Sequence, residues 1–199
     1  MAGSPYAGLL EGAFLKKTKE LVNSHPLRAE EIRGVVLQAW EDIFESKLGP
    51  KSFQIGKHIF PKPQIMGFFL HELIPLEFAA RYPDKWRGEK TKHDKDLVYI
   101  PEEKFSIEIK TSSHQSRVFG NRSYAQEGDT EGNKSKSGYY LTANFGKFSA
   151  ENLRPRILRI RFGWIDHSDW IGQASAKGQQ AHLGPGADKF KLLTIYPNK

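Results

Sequence analysis

Two acids and a lysine that sit close together in the chain are the residues best equipped for phosphodiester chemistry. Asp96 heads the apolar run Leu97-Val98-Tyr99-Ile100, and Glu108-Ile109-Lys110 ends the run that starts at Phe105. Apolar and polar residues alternate on both sides of Pro101-Glu102-Glu103-Lys104, which predicts a hairpin. Along its second strand Ile107 and Ile109 share one face, and Glu108 and Lys110 share the other. Two neighbouring carboxylates repel each other unless a cation offsets them. Magnesium takes such oxygen ligands and keeps waters of its own. Lys110 beside them could hold an attacking water or stabilise charge developing on phosphorus. The same pattern also describes an ordinary hairpin with a solvated polar face, so its context must decide. Asp94 competes with Asp96 as first ligand, and Asp96 is preferred because it directly precedes the apolar run.

Elements that could position these groups are legible on both sides. Apolar positions at helical spacing predict a first helix over 6–23, and Pro26 opens a second that Gly49-Pro50 stops. The stripe of that second helix is Ile32, Val35, Val36, Ala39, Trp40, Ile43 and Phe44. A third helical stretch runs from Met66 to Tyr82, with a kink or break expected at Pro75. Glu72 lies within it and reads as a solvated or capping acid in preference to a carboxylate that reaches the metal site; Glu77 is a weaker version of the same idea. Beyond the hairpin, 139–145, 157–165 and 192–196 read as strands. In the second of these Leu158, Ile160, Phe162 and Trp164 face one way, and Arg159 and Arg161 the other.

The stretch 111–137 is polar, rich in Ser and Gly, and too long for a simple connector, which marks it as a functional loop. Within it Arg117, Asn121, Arg122, Ser123 and Gln126 interleave with aromatics. Arg pairs bidentately with guanine, and Asn and Gln with adenine, in the major groove. A second polar cluster holds His167, Gln173, Lys177 and Gln179, which fit a groove or phosphate contact. His167 stands between Asp166 and Asp169, but no second His lies at metal-ligand spacing and no nucleophile elbow precedes it. His25, His58 and His71 read as structural or surface residues.

With 199 residues the chain suits one domain, a helical part to about 82 followed by a sheet and loops from about 90. Thirty Lys and Arg against 23 Asp and Glu give a net charge of +7, so an acidic partner is expected, and nucleic acid is the first candidate. The absence of cysteine excludes disulfides, thiol nucleophiles and thiolate zinc sites. No apolar run is long enough to span a bilayer and no export signal is evident, so a cytoplasmic protein without membrane partners is expected. Neither a Walker loop nor a dinucleotide fingerprint is present, so no small-molecule cofactor is expected.

At Asp96 and Glu108-Ile109-Lys110 the sequence resembles the PD-(D/E)XK nuclease superfamily. The blocks Phe119-Gly120-Asn121-Arg122-Ser123-Tyr124-Ala125-Gln126 and Gly163-Trp164-Ile165-Asp166-His167-Ser168-Asp169-Trp170 narrow the resemblance to type II restriction endonucleases of the ScaI-like group. The proline that names the motif is replaced by Lys95. The resemblance implies an α/β (α+β) fold, with a restriction-endonuclease-like mixed sheet flanked by helices. It implies Mg2+-dependent cleavage of both strands of double-stranded DNA by a homodimer, leaving 5′-phosphate and 3′-hydroxyl ends. It also implies Asp96 and Glu108 as metal ligands, the Ile109 carbonyl as a further one, Glu72 as an optional one, and Lys110 on the water. The alternatives are a repair or recombination nuclease of the same superfamily and a DNA-binding protein without catalysis.

Overall fold

Three amphipathic helices lead the chain because their apolar residues recur at helical spacing and bury against one sheet. They are α1 (Glu11–Asn23), α2 (Ala29–Glu45) and α3 (Pro63–Arg81) in the computed structural model, which describes residues 3–125, 135–175 and 177–197. The first helix starts later than its pattern predicts, because residues 5–8 form turns that bury Tyr6. α3 runs on through Pro75: that residue removes one rung of the ladder, yet Ile74 and Phe78 beside it are fully buried and hold the helix in place. The expected kink or break is therefore not a break.

The strands that follow are β1 (Trp86–Gly88), β2 (Leu97–Tyr99), β3 (Ile107–Ser112), β4 (Phe119–Asn121), β5 (Gly138–Phe145), β6 (Ile157–Ile165), β7 (Trp170–Gly172) and β8 (Gln180–Leu183). A short helix, α4 (Pro185–Phe190), precedes β9 (Leu193–Tyr196). The large sheet has the order β1-β2-β3-β5-β6-β9. Its β3–β5 pair is parallel and its other pairs are antiparallel, so the sheet is mixed. A second sheet has the order β4-β8-β7.

One face of the large sheet buries Ile107, Ile109, Leu141, Ala143, Ile160 and Phe162 against α2 and α3, with Trp40, Leu70 and Phe78 in the same core. His25 belongs to this core, its ring 4.5 Å from that of Tyr139 and 4.8 Å from that of Phe162. The other face is not the solvated one that simple alternation predicts. A second core covers it, built from Val118, Tyr140, Ile165, Trp170, Ala181, Leu183, Ala187 and Leu192. Arg161 is consequently fully buried, where it donates to Asp188 and to the Ser116 carbonyl at 3.0 Å. Leu158, expected on the apolar face, is 40% exposed.

Two glycines permit close approaches that position the rest. A Cβ at Gly67 of α3 would meet Thr111 Oγ1 at 2.6 Å, so glycine lets this helix lie directly on β3. A Cβ at Gly163 of β6 would meet the Lys191 carbonyl at 2.1 Å. No described helix is long and apolar enough to cross a membrane.

Candidate active site

β3 is an interior strand between β2 and β5, so its side chains project from a rigid support. Glu108 pairs in register with Tyr140, and Lys110 with Thr142. Both point to the face covered by the second core: Glu108 is only 2% exposed, and Lys110 is partly buried. Lys110 Nζ donates to Glu108 Oε1 at 2.6 Å. The hydroxyl of Tyr124 donates to the same oxygen at 2.5 Å, and the Lys110 ammonium lies 4.7 Å from the centre of the Tyr124 ring. Burial first, then the nearby Glu108 carboxylate, holds the Tyr124 phenol protonated far above its usual range, so it acts as a donor.

Asp96 reaches β3 from the end of β2. Its Oδ2 accepts the Ile109 N–H at 2.6 Å, and His71 Nδ1 on α3 lies 3.8 Å from the same oxygen. The N–H and C=O of one strand residue point to the same edge, so the Ile109 carbonyl faces the edge that Asp96 occupies. Asp94 has a different environment. Arg87 grips it at 2.8 and 3.2 Å, and the Lys90 and Thr91 amides donate to it at 2.8 and 3.1 Å. The Arg87 hydrogen bonds hold the Asp94 carboxyl well below the usual carboxylate range. That carboxylate is the cap of a turn.

Glu72 is exposed and lies on the outward stripe of α3 with Ile65, Phe68 and Leu76, opposite the buried Met66, Leu70 and Ile74. The structure thus does not turn Glu72 toward β3, and its neighbour His71 is the α3 residue that meets Asp96. Glu77 pairs with Arg81 within the same helix. Among the described residues no group of three or more His, Asp or Glu side chains gathers as a ready metal cage. The donor set at β3 is two carboxylates and a peptide carbonyl. Such hard oxygen donors fit a cation that completes its shell with water and phosphate.

The two polar clusters are neighbours in space. β4 pairs with β8 so that Asn121 opposes Gln180, and the Arg122 amide donates to the Gln179 carbonyl at 2.8 Å. Arg122 also donates to the Ser175 and Gly178 carbonyls at 2.9 and 3.1 Å, so it clips the 173–180 loop to β4 rather than reaching outward. Arg117, Asn121, Ser123, Gln173, Lys177 and Gln179 are exposed. Gln126 lies outside the described residues. His167 is exposed and its amide donates to Ser137 Oγ. The acids beside it are committed elsewhere: Lys191 Nζ donates to Asp166 at 2.9 Å and to Asp169 at 2.8 Å.

A family model described as ScaI restriction endonuclease matches residues 4–196, nearly the full length of the chain. The chain belongs to the ScaI restriction endonuclease family. It is 47% identical over 194 residues to the type II restriction enzyme ScaI of Streptomyces caespitosus, which covers 97% of this chain and 85% of that protein. No solved structure matches the chain.

For a restriction endonuclease of this family the two distinctive sequence blocks now separate by task. The described part of the first block, 119–125, lies against the Glu108–Lys110 pair through Tyr124. The block at 163–170 is a socket for Lys191: Gly163 admits its backbone, and Asp166 and Asp169 receive its ammonium. Tyr124 and His71 are the site residues that sequence reasoning missed. Tyr124 stands 16 residues from Glu108, and nothing in local spacing joins the two. The placement of His71 depends on how α3 lies on β3.

Proposed function

We propose that this restriction endonuclease hydrolyses both strands of duplex DNA at a short specific site, with Asp96, Glu108 and Lys110 as its catalytic set. The observation that carries this reading is a buried Glu108 bonded to Lys110 on an interior strand, with Asp96 docked on the intervening Ile109 amide. Asp96, Glu108 and the Ile109 carbonyl would hold a divalent cation, and Mg2+ suits these oxygen donors. When bound, the ion would neutralise phosphate charge and acidify a water.

The chain's own groups account for the rest. The Ile109 N–H fixes the Asp96 carboxylate in one orientation. Lys110, partly buried, would hold the attacking oxygen and counter the charge developing on the phosphate, which a preorganised cation does without reorganising solvent. Displacement in line with the leaving 3′ oxygen would give 5′-phosphate and 3′-hydroxyl ends. Asp94 is the weaker candidate because Arg87 already neutralises it. The exposed residues Asn121, Ser123, Gln173, Lys177 and Gln179 would meet the DNA, with Arg117 and His167 at the margins.

The described residues of one chain offer one such set, and two copies would match the two antiparallel strands, so we propose a homodimer. A palindromic site would mirror its twofold axis.

The test uses a long duplex of known sequence incubated with the protein and magnesium. Discrete fragments are expected, and Glu108→Ala or Lys110→Ala should abolish cutting while DNA binding survives. Failure of the unaltered protein to cut any duplex would sink the proposal.

A further inference from the structure

We propose that Tyr124 is a positioning residue for cleavage, holding Glu108 and Lys110 in register and tying that register to the seating of the 119–125 segment. The inference rests on the reading of Glu108 and Lys110 as catalytic. It starts from a pair of contacts made by one side chain. The Tyr124 hydroxyl donates to Glu108 Oε1 at 2.5 Å, the oxygen that also receives Lys110 Nζ. The ring of the same residue lies 4.7 Å under the Lys110 ammonium, where its π face attracts a cation. Tyr124 therefore restrains both ends of the Glu108–Lys110 pair. A carboxylate on a strand retains rotamer freedom beyond its Cβ, and a fixed donor at one oxygen removes it.

Tyr124 is itself held by neighbours in the second sheet. Its ring packs 5.2 Å from that of Trp170 in β7, and a Cβ at Gly120 in β4 would press on it at 3.2 Å. The one-turn helix Arg122–Ala125 that carries it is anchored by Arg122 on the Ser175 and Gly178 carbonyls. Ser123 lies in that turn and Asn121 directly precedes it at the end of β4, and both are exposed. A contact that shifts Asn121 or Ser123 thus moves the hydroxyl that orients Glu108. Through this lever a wrongly seated DNA would meet a misaligned carboxylate.

The test first maps the cuts that the unaltered protein makes in a long duplex, then measures single-turnover cleavage of a short duplex holding one mapped site. Tyr124→Phe keeps the ring on Lys110 and Trp170 and removes only the hydroxyl. Its cleavage rate is expected to fall about 10- to 100-fold, the range for groups that orient ligating side chains. Its binding of the same duplex without divalent cation should stay within about twofold. The carboxyl carbon resonance of Glu108, identified by its loss in Glu108→Gln, should shift in Tyr124→Phe before any metal is added. A cleavage rate within about twofold of the unaltered protein would overturn the inference. So would an unmoved Glu108 resonance, or a loss of binding as large as the loss of rate.

If Tyr124→Phe fails to fold, Tyr124→Gln and Tyr124→Leu decide. Faster cleavage by the glutamine variant, which keeps a donor, supports the positioning role, and equal rates refute it. Cutting by the unaltered protein, lost in Glu108→Ala but unchanged in Tyr124→Phe, would leave the catalytic reading standing and remove this inference alone.

Discussion

Asp94 and Asp96 are two residues apart on one short segment, yet their surroundings give them different tasks. Asp94 caps a turn and neutralises Arg87, whereas Asp96 docks on the Ile109 amide of β3 with the His71 imidazole nearby. Asp96→Ala is therefore expected to abolish cleavage, and by freeing the buried Ile109 amide also to lower stability by about 1–3 kcal/mol. Asp94→Ala should lower stability by a similar amount, through the loss of hydrogen bonds to a charged group, and leave measurable cleavage. Paired melting curves and cleavage assays separate the two. His25 supplies a prediction of the same scale but in pH. Burial lowers its pKa from the usual 6.5 to about 4, and the Leu27 amide donates to its Nδ1 while Nε2 donates to the Phe105 carbonyl. Between those values the unfolded chain binds a proton that the folded protein refuses, so stability rises with pH across this window. Its full contribution is present above about pH 6.5, and about 3 kcal/mol is lost as pH falls to 4. Urea titrations of the protein and of His25→Asn at pH 7 and pH 4.5 check this, since the variant should lose the histidine's share of the slope.

At the scale of elements, β6, α4 and the 166–169 turn are joined by one lysine. Lys191 is 4% exposed, bonded to Asp166 and Asp169, and lies 4.3 Å from the Tyr6 ring centre. Removing a buried cation leaves its carboxylates uncompensated, so Lys191→Met should cost about 3–5 kcal/mol. Denaturant unfolding measures it, and a loss below about 1 kcal/mol would mean that water reaches Asp166 and Asp169 freely. How much of this was readable from sequence depends on the apolar pattern of each element. α2, β5 and β6 each present several periods of an apolar pattern, and the sequence reading locates them to within a few residues. β1, β4, β7 and β8 go unread because a glycine or polar residues interrupt each of them, whereas the equally short β2 and β9 carry apolar runs. The hairpin was legible as an alternation, but its pairing is confined to Leu97 opposite Ile107, with the one-turn helix Glu103–Phe105 between. Alternation also could not say what covers the polar face of β3 and β6. A pattern of two cannot distinguish water from a second sheet, so Arg161 and Glu108 read as half-solvated when both are buried.

For the whole molecule the question is where a second copy would sit. The outward stripe of α3 leaves Ile65, Phe68 and Leu76 at 48%, 57% and 61% exposure, on the helix whose flank brings His71 to Asp96. A dimer seated there would cover that apolar surface and place a helix of each copy beside its own catalytic strand. Phe68→Glu combined with Leu76→Glu is expected to give a monomer with intact secondary structure and strongly reduced double-strand cutting. Sedimentation at several concentrations reads the mass, and an unchanged dimer would move the interface elsewhere.

The Lys191 socket has a consequence for how the protein is made. Asp166 and Asp169 leave the ribosome 25 and 22 residues before the lysine that neutralises them. Until it arrives, closing this side of the sheet would bury carboxylates with no counter-charge, so a nascent chain has reason to keep it open. β9, the sheet's outer strand beyond β6, emerges later still. β3, the strand of the proposed catalytic set, precedes them all in the chain. The proposed DNA-cutting centre thus leans on a face whose charges balance only once Lys191 is in place.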